Sequence, residues 1–102
     1  MEDIALNQIV SQLKELGLST HEALAYTTLL TKPSMTASSL CTETKIPDSK
    51  IYYALDSLSK KGMVAIQQST PSIYRAVAPN EAITNLKQQL KDELDQKIQH
   101  LR

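Results

Sequence analysis

Pro47 and Gly62 fence off the stretch that most constrains what this chain can fold into, Ile46 to Val64, IPDSKIYYALDSLSKKGMV. Proline cannot continue a preceding helix, and Asp48 behind it can accept a hydrogen bond from the free amides of the next one, so a helix is expected to start at about Asp48. Ile51, Ala54, Leu55 and Leu58 follow at i, i+3, i+4 and i+7 as one apolar stripe, and Gly62 supplies the left-handed stop that helix ends favour. An outward face is left over. Ser49, Lys50, Tyr53, Ser57 and Lys60 fill it with hydroxyls, cations and an aromatic ring, groups suited to phosphates and base edges.

The flanking segments have equally readable periods. Asp3 to Leu16 is helical, with Ala5, Leu6, Ile9, Leu13 and Leu16 on one face and Gly17 just past the end. Ser19 to Glu22, S-T-H-E, reads as a capping box, with Leu18 placed as a staple against Ala23, and opens a second helix running to about Thr31. Lys32-Pro33-Ser34 breaks that helix, and Thr36 can cap a short third one whose inner face carries Ala37, Leu40, Cys41 and Thr44. Only Lys45 to Asp48 then separate it from the central helix, so the pair reads as a helix-turn-helix with the second helix presented for recognition. Beyond Gly62 the period becomes alternating, and two short strands around a glycine-free tip predict a β-hairpin with a longer loop, the wing. On its second strand Tyr74 and Arg75 must point to opposite faces, and the arginine is placed outside.

Pro79 fits the first turn of a last helix reaching about Leu101. Ile83, Leu86, Leu90, Leu94, Ile98 and Leu101 form one apolar stripe along it, and a helix on the order of 34 Å long exceeds what one small domain needs to cover itself. The expected fold is therefore mainly α with a small β-hairpin: a winged helix-turn-helix over 19–78, between N-terminal (1–18) and C-terminal (79–102) amphipathic dimerisation helices. Leu6, Ile9 and Leu13 on the first helix join Ile83, Leu86, Leu90, Leu94, Ile98 and Leu101 as candidate dimer contacts.

Bulk properties bound this reading. With 102 residues, 41% of them hydrophobic and 22% charged, the chain has the composition and length of one soluble domain. No apolar run approaches the roughly 20 residues that cross a bilayer, and MEDIALNQ has acids where a signal peptide has cations, so no membrane is expected as a partner and the location is expected to be cytoplasmic. Net charge is zero, but from Lys45 to Arg75 five bases (Lys45, Lys50, Lys60, Lys61, Arg75) face two acids (Asp48, Asp56), whereas before Lys32 one base faces four acids. The cationic part holds the recognition helix, which suits a polyanion. Cys41 is alone and reads as a small core residue, His21 as an exposed polar residue and Lys61 as a solvated helix end. No phosphate loop, metal-ligand cluster or triad spacing is present, so neither an enzyme nor a cofactor is expected.

Several of these residues together resemble the TrmB-like transcriptional regulators, mostly archaeal winged-helix proteins within the wider MarR-like group. They are Leu16-Gly17-Leu18-Ser19 with Glu22-Ala23 and Tyr26, Ile46-Pro47, Lys50-Ile51-Tyr52 with Leu55 and Leu58, Lys61-Gly62-Met63-Val64, Tyr74-Arg75-Ala76-Val77, and Pro79 with Glu81-Ala82. The resemblance implies sequence-specific binding of double-stranded DNA by a homodimer, with the helix at Asp48 to Lys61 in the major groove and the hairpin beside it. Longer members carry a C-terminal sugar-binding domain; this chain ends on the helix that would lead into one, so sugar sensing is not carried over and no effector ligand is assigned. The residues expected to meet DNA are Lys45, Asp48, Ser49, Lys50, Tyr53, Ser57 and Lys60 around the recognition helix, Ser69 and Thr70 at the wing tip, and Arg75. Tyr52, next to Ile51, is read as core. The competing reading is a winged-helix protein-interaction module, with which zero net charge is compatible.

Overall fold

The computed structural model describes the backbone of residues 2–101 and the side chains of residues 7–101. Five helices and one hairpin follow in the order α1 (Glu2–Glu15), α2 (Thr20–Leu30), α3 (Ala37–Thr44), α4 (Asp48–Lys60), β1 (Val64–Gln67), β2 (Ile73–Ala76) and α5 (Pro79–His100).

Local chemistry sets most of the boundaries. The capping box at α2 is complete: Ser19 Oγ accepts from the Glu22 amide at 3.1 Å, and Glu22 Oε1 accepts from the Ser19 amide at 3.0 Å. Leu18 and Ala23, the stapling pair, are both buried. Thr36 caps α3 through the Ser39 amide, and α3 ends at Lys45, which takes the left-handed conformation at φ 62°. The cap expected of Asp48 is absent. Pro47 occupies the cap position, and Asp48 already lies in the first helical turn, where its carboxylate complements the positive end of α4 without reaching back to an amide.

Gly62 ends α4 at φ 73°, and the Met63 amide closes back onto Leu58 O at 3.0 Å. A second constraint acts there, because a Cβ on Gly62 would lie 2.7 Å from Asn85 Cβ, while Asn85 Nδ2 donates to Gly62 O at 2.7 Å. Glycine thus permits both the turn out of α4 and the close approach of α5.

The wing is an antiparallel pair in the register Val64↔Ala76, Ala65↔Arg75, Ile66↔Tyr74 and Gln67↔Ile73, joined by a five-residue tip over 68–72. Its free edge is partly covered. Met35, between α2 and α3, exchanges both backbone hydrogen bonds with Tyr74 at 3.0 and 2.8 Å, which protects β2 from further pairing. Tyr26 then ties α2 to the strand exit by donating to Val77 O at 2.8 Å. Tyr74 is buried and Arg75 exposed, as strand alternation requires.

The core under these elements gathers Leu13, Leu18, Tyr26, Leu29, Leu40, Ile46, Ile51, Leu55, Leu58 and Met63, closed below by Ala82 and Leu86 of α5. This is a winged helix-turn-helix. Two expected dimer contacts belong to that core and not to an outer surface: Leu13 is 4% and Leu86 1% exposed within the single chain. Each sits where its helix crosses the domain, so the stripe that continues beyond it changes role. The Leu6 side chain lies outside the described residues, Ile9 and Ile83 are half-buried, and Leu90, Leu94, Ile98 and Leu101 are exposed. Tyr52, read as core, is 58% exposed, because it occupies the flank of α4 that faces the wing and not its apolar stripe.

Candidate nucleic-acid interface

α4 presents an outer ridge and its flanks to solvent. Ser49, Tyr53, Asp56 and Lys60 recur at spacings of four, three and four, form its outermost ridge, and are all exposed. Asp56, which sequence reasoning did not single out, pairs with Lys60 at 3.2 Å. Such a pair, exposed on both sides, contributes no more than about 1 kcal/mol, so either partner can exchange the other for a base edge or a phosphate. A carboxylate on a recognition ridge is also the group that accepts from the cytosine amino group.

On one flank Ser49, Lys50, Tyr53, Ala54 and Ser57 face Ser19, His21 and Glu22 of the α2 entrance across a groove of about 460 Å³, so the first half of the ridge also forms one wall of the groove. His21 is half-buried there and not the open surface residue its position implied. Ser57, expected on the contact face, is half-buried and lines this groove, and its hydroxyl donates to Glu22 Oε2 at 2.8 Å. Lys61 joins the same oxygen at 2.5 Å with its side chain 19% exposed, so it is an internal counterion and not a solvated helix end.

Glu22 is therefore a hub. One oxygen closes the capping box of α2, and the other receives Ser57 and Lys61 from the last turns of α4. Burial works to raise its carboxyl, but the Lys61 ammonium, the Ser19 amide and the Ser57 hydroxyl outweigh burial and hold it below the ordinary value. The box was legible as an S-x-x-E spacing. The bonds from Ser57 and Lys61 were not, because they span 35 and 39 residues.

With Lys61 withdrawn and Lys60 paired, Lys45, Lys50 and Arg75 are the cations of the 45–75 segment without a carboxylate partner among the described residues. Lys45 holds the turn between α3 and α4 in a left-handed conformation that costs an L-residue roughly 1–2 kcal/mol and glycine nothing. Asp48 is exposed at the entrance of α4, beside Cys41. Burial and that carboxylate push the Cys41 thiol up to about 11, which disfavours the thiolate. At the wing tip Thr70 is exposed, whereas the Ser69 hydroxyl is engaged within the tip, donating to Pro71 O at 2.7 Å. Among the described residues no three His, Cys, Asp or Glu side chains gather as a metal site, and no helix is long and apolar enough to cross a membrane.

A sequence profile described as "Sugar-specific transcriptional regulator TrmB" matches residues 13–80, which spans α2, the helix-turn-helix and the wing. The chain belongs to the TrmB family. It is 34% identical over 88 residues to the HTH-type sugar sensing transcriptional regulator TrmBL1 of Pyrococcus furiosus, covering 86% of this chain and 26% of that protein. It is 31% identical over 84 residues to YrhO of Bacillus subtilis, an uncharacterised protein, covering 82% of this chain and 30% of the other, so relatives occur in archaea and bacteria. The chain thus spans between a quarter and a third of the length of these curated relatives. Among solved structures, TrmBL2, an archaeal chromatin protein described as showing a novel mode of DNA binding, superposes with a TM-score of 0.79 at 26% identity over 94% of this chain and 37% of that one. A MarR-family regulator from Silicibacter pomeroyi shares the fold, with a TM-score of 0.62 at 17% identity over 96% and 83% of the two chains.

The Glu22 hub generates a pH dependence of known sign. A carboxyl whose folded value is depressed contributes stability that is complete above its ordinary range and disappears as the pH falls through the folded value. Glu22→Gln should cost about 1–3 kcal/mol at pH 7, the penalty of leaving the half-buried Lys61 ammonium poorly paired. Thermal melts between pH 7 and pH 3 should show the wild type approaching the variant as acid is added. Parallel acid sensitivity in the two proteins would remove Glu22 as the hub.

Proposed function

We propose that this chain is a DNA-binding transcriptional regulator that acts in the cytoplasm as a homodimer, each copy placing α4 in the major groove of one half of a two-fold symmetric operator. The observation that carries the reading is the exposed ridge of Ser49, Tyr53, Asp56 and Lys60 on α4, flanked by the unpaired cations Lys45 and Lys50, in a fold shared with regulators. The ridge supplies donors, acceptors and an aromatic ring for base edges, and the flanking cations supply the sequence-independent attraction to phosphates. Lys50 is exposed and lines the groove toward α2 together with Ser49 and Tyr53, and a cation without a carboxylate partner among the described residues suits a phosphate contact. Arg75 on the outer face of the wing adds a third cation, and Thr70 an uncharged tip contact.

Lys45 provides a test that loss of folding cannot imitate. Glycine relieves the left-handed strain at position 45 while removing the cation, so Lys45→Gly should leave stability unchanged or raised and still weaken binding to every duplex. Fluorescence anisotropy with specific and random duplexes, read beside thermal melting, checks both halves. Undiminished DNA affinity in a stable variant would remove Lys45 from the interface, and a wild type that does not bind duplex DNA at all would leave the protein-interaction reading in its place.

The homodimer rests on two apolar features that complement one another. Leu90, Leu94, Ile98 and Leu101 lie exposed along the far half of α5, and an apolar recess of about 200 Å³ opens between α1, α2 and the start of α5, lined among others by Ile9, Leu16, Leu30 and Ile83. Each buried methylene contributes about 0.8 kcal/mol, and two-fold pairing lets the α5 stripe of each copy cover the other copy's stripe and recess. Leu90→Glu with Leu94→Glu should yield a folded monomer by sedimentation equilibrium. A dimer that survives both substitutions at micromolar concentration would place the interface elsewhere.

A further inference from the structure

A second surface, unassigned so far, lies between α4 and the wing. Thr36 and Ser38 at the start of α3, Tyr52 on the flank of α4, and Pro71 and Ser72 at the wing tip enclose a cleft of about 240 Å³ whose floor is Tyr74. No carboxylate or cation lines it. Its polar groups are hydroxyls, and three of them lack partners: the Ser38, Tyr52 and Tyr74 hydroxyls make no hydrogen bond among the described residues, whereas those of Thr36 and Ser72 are engaged. Tyr74 is 7% exposed, so a polar tip on an otherwise buried ring is turned into the cleft, close enough to Tyr52 for the two phenols to influence one another. Both hydroxyls are accessible from the cleft and free to donate to what enters it.

Resting on the DNA-binding reading above, the geometry points to a sugar-phosphate unit of the DNA backbone as the occupant of this cleft, held by the Tyr52 and Tyr74 hydroxyls. If α4 lies in a major groove and the wing beside the adjacent minor groove, the strand that separates those grooves must pass between the two elements, and the cleft is the space between them. The Tyr52 and Tyr74 hydroxyls donate to a non-bridging phosphate oxygen, Ser38 and Ser72 lie within the same wall, and the exposed ring of Tyr52 with Pro71 packs against the deoxyribose. Neutral donors suit this position. They hold a phosphate in register without neutralising it, so the cleft positions the duplex and leaves the Coulombic attraction to Lys45 and Lys50.

That division of labour can be measured. Tyr52→Phe and Tyr74→Phe each remove one oxygen and leave the packing of the ring intact. Each should weaken duplex binding roughly tenfold, the loss of one hydrogen bond to a charged acceptor, on specific and random sequences alike. The slope of log affinity against log salt should stay at the wild-type value, since no counterion contact is lost. Thermal melting establishes that both variants are folded. Wild-type affinity in both variants, with the wild type itself binding DNA, would overturn the cleft alone; a changed salt slope would overturn the neutral positioning role; and absence of DNA binding by the wild type would overturn the underlying reading together with it.

Discussion

The buried Glu22 carboxylate is the contact on which the placement of the recognition helix depends. Helix α4 buries Ile51, Leu55 and Leu58 in the core, which fixes its inner face, and a polar contact adds the direction that non-directional burial lacks at its far end. Glu22 supplies direction. It is fixed at the start of α2 by the capping box, and from there it takes the Ser57 hydroxyl and the Lys61 ammonium at the far end of α4. Gly62 and Asn85 then fix where the chain leaves α4, and Met35 with Tyr74 fixes the wing that follows. The outward ridge inherits its orientation from these polar contacts as much as from the core.

This arrangement also decides which charges are left to meet a partner. A formal count gives the 45–75 segment three excess positive charges, but Lys61 is consumed internally and Lys60 shares its charge with Asp56. What remains is Lys45 in a strained turn, Lys50 beside the α2 groove and Arg75 on the wing. A small number of well-placed cations, together with a neutral hydroxyl cleft, is consistent with a chain of zero net charge. Such a protein would depend on geometry more than on bulk attraction for its hold on DNA.

How much of this was legible in the sequence follows from the range of each interaction. The capping box, the Pro47 and Gly62 boundaries, the hairpin and the long last helix are local patterns, and all appear where the periodicity placed them. Asp48 was misread because Pro47 already occupies the cap position, a choice that spacing cannot make. Lys61 and Tyr52 were misread for another reason, and the Ser57 bond to Glu22 was missed with them: a helical wheel separates buried from exposed but does not say which neighbour covers a flank. Leu13 and Leu86 belong to apolar stripes that run unbroken from the core onto the surface, and only the packed structure shows where one role ends. The Met35 to Tyr74 pairing is a single bridge between distant residues and leaves no pattern to read.

Binding of duplex DNA through Lys45, Lys50 and Arg75 on each of two copies would show itself in the salt dependence of affinity for random duplex DNA. With Lys45, Lys50 and Arg75 each meeting a phosphate in both copies, log affinity should fall with log salt at a slope of about −5. A slope near zero, or affinity that does not change with salt, would contradict it.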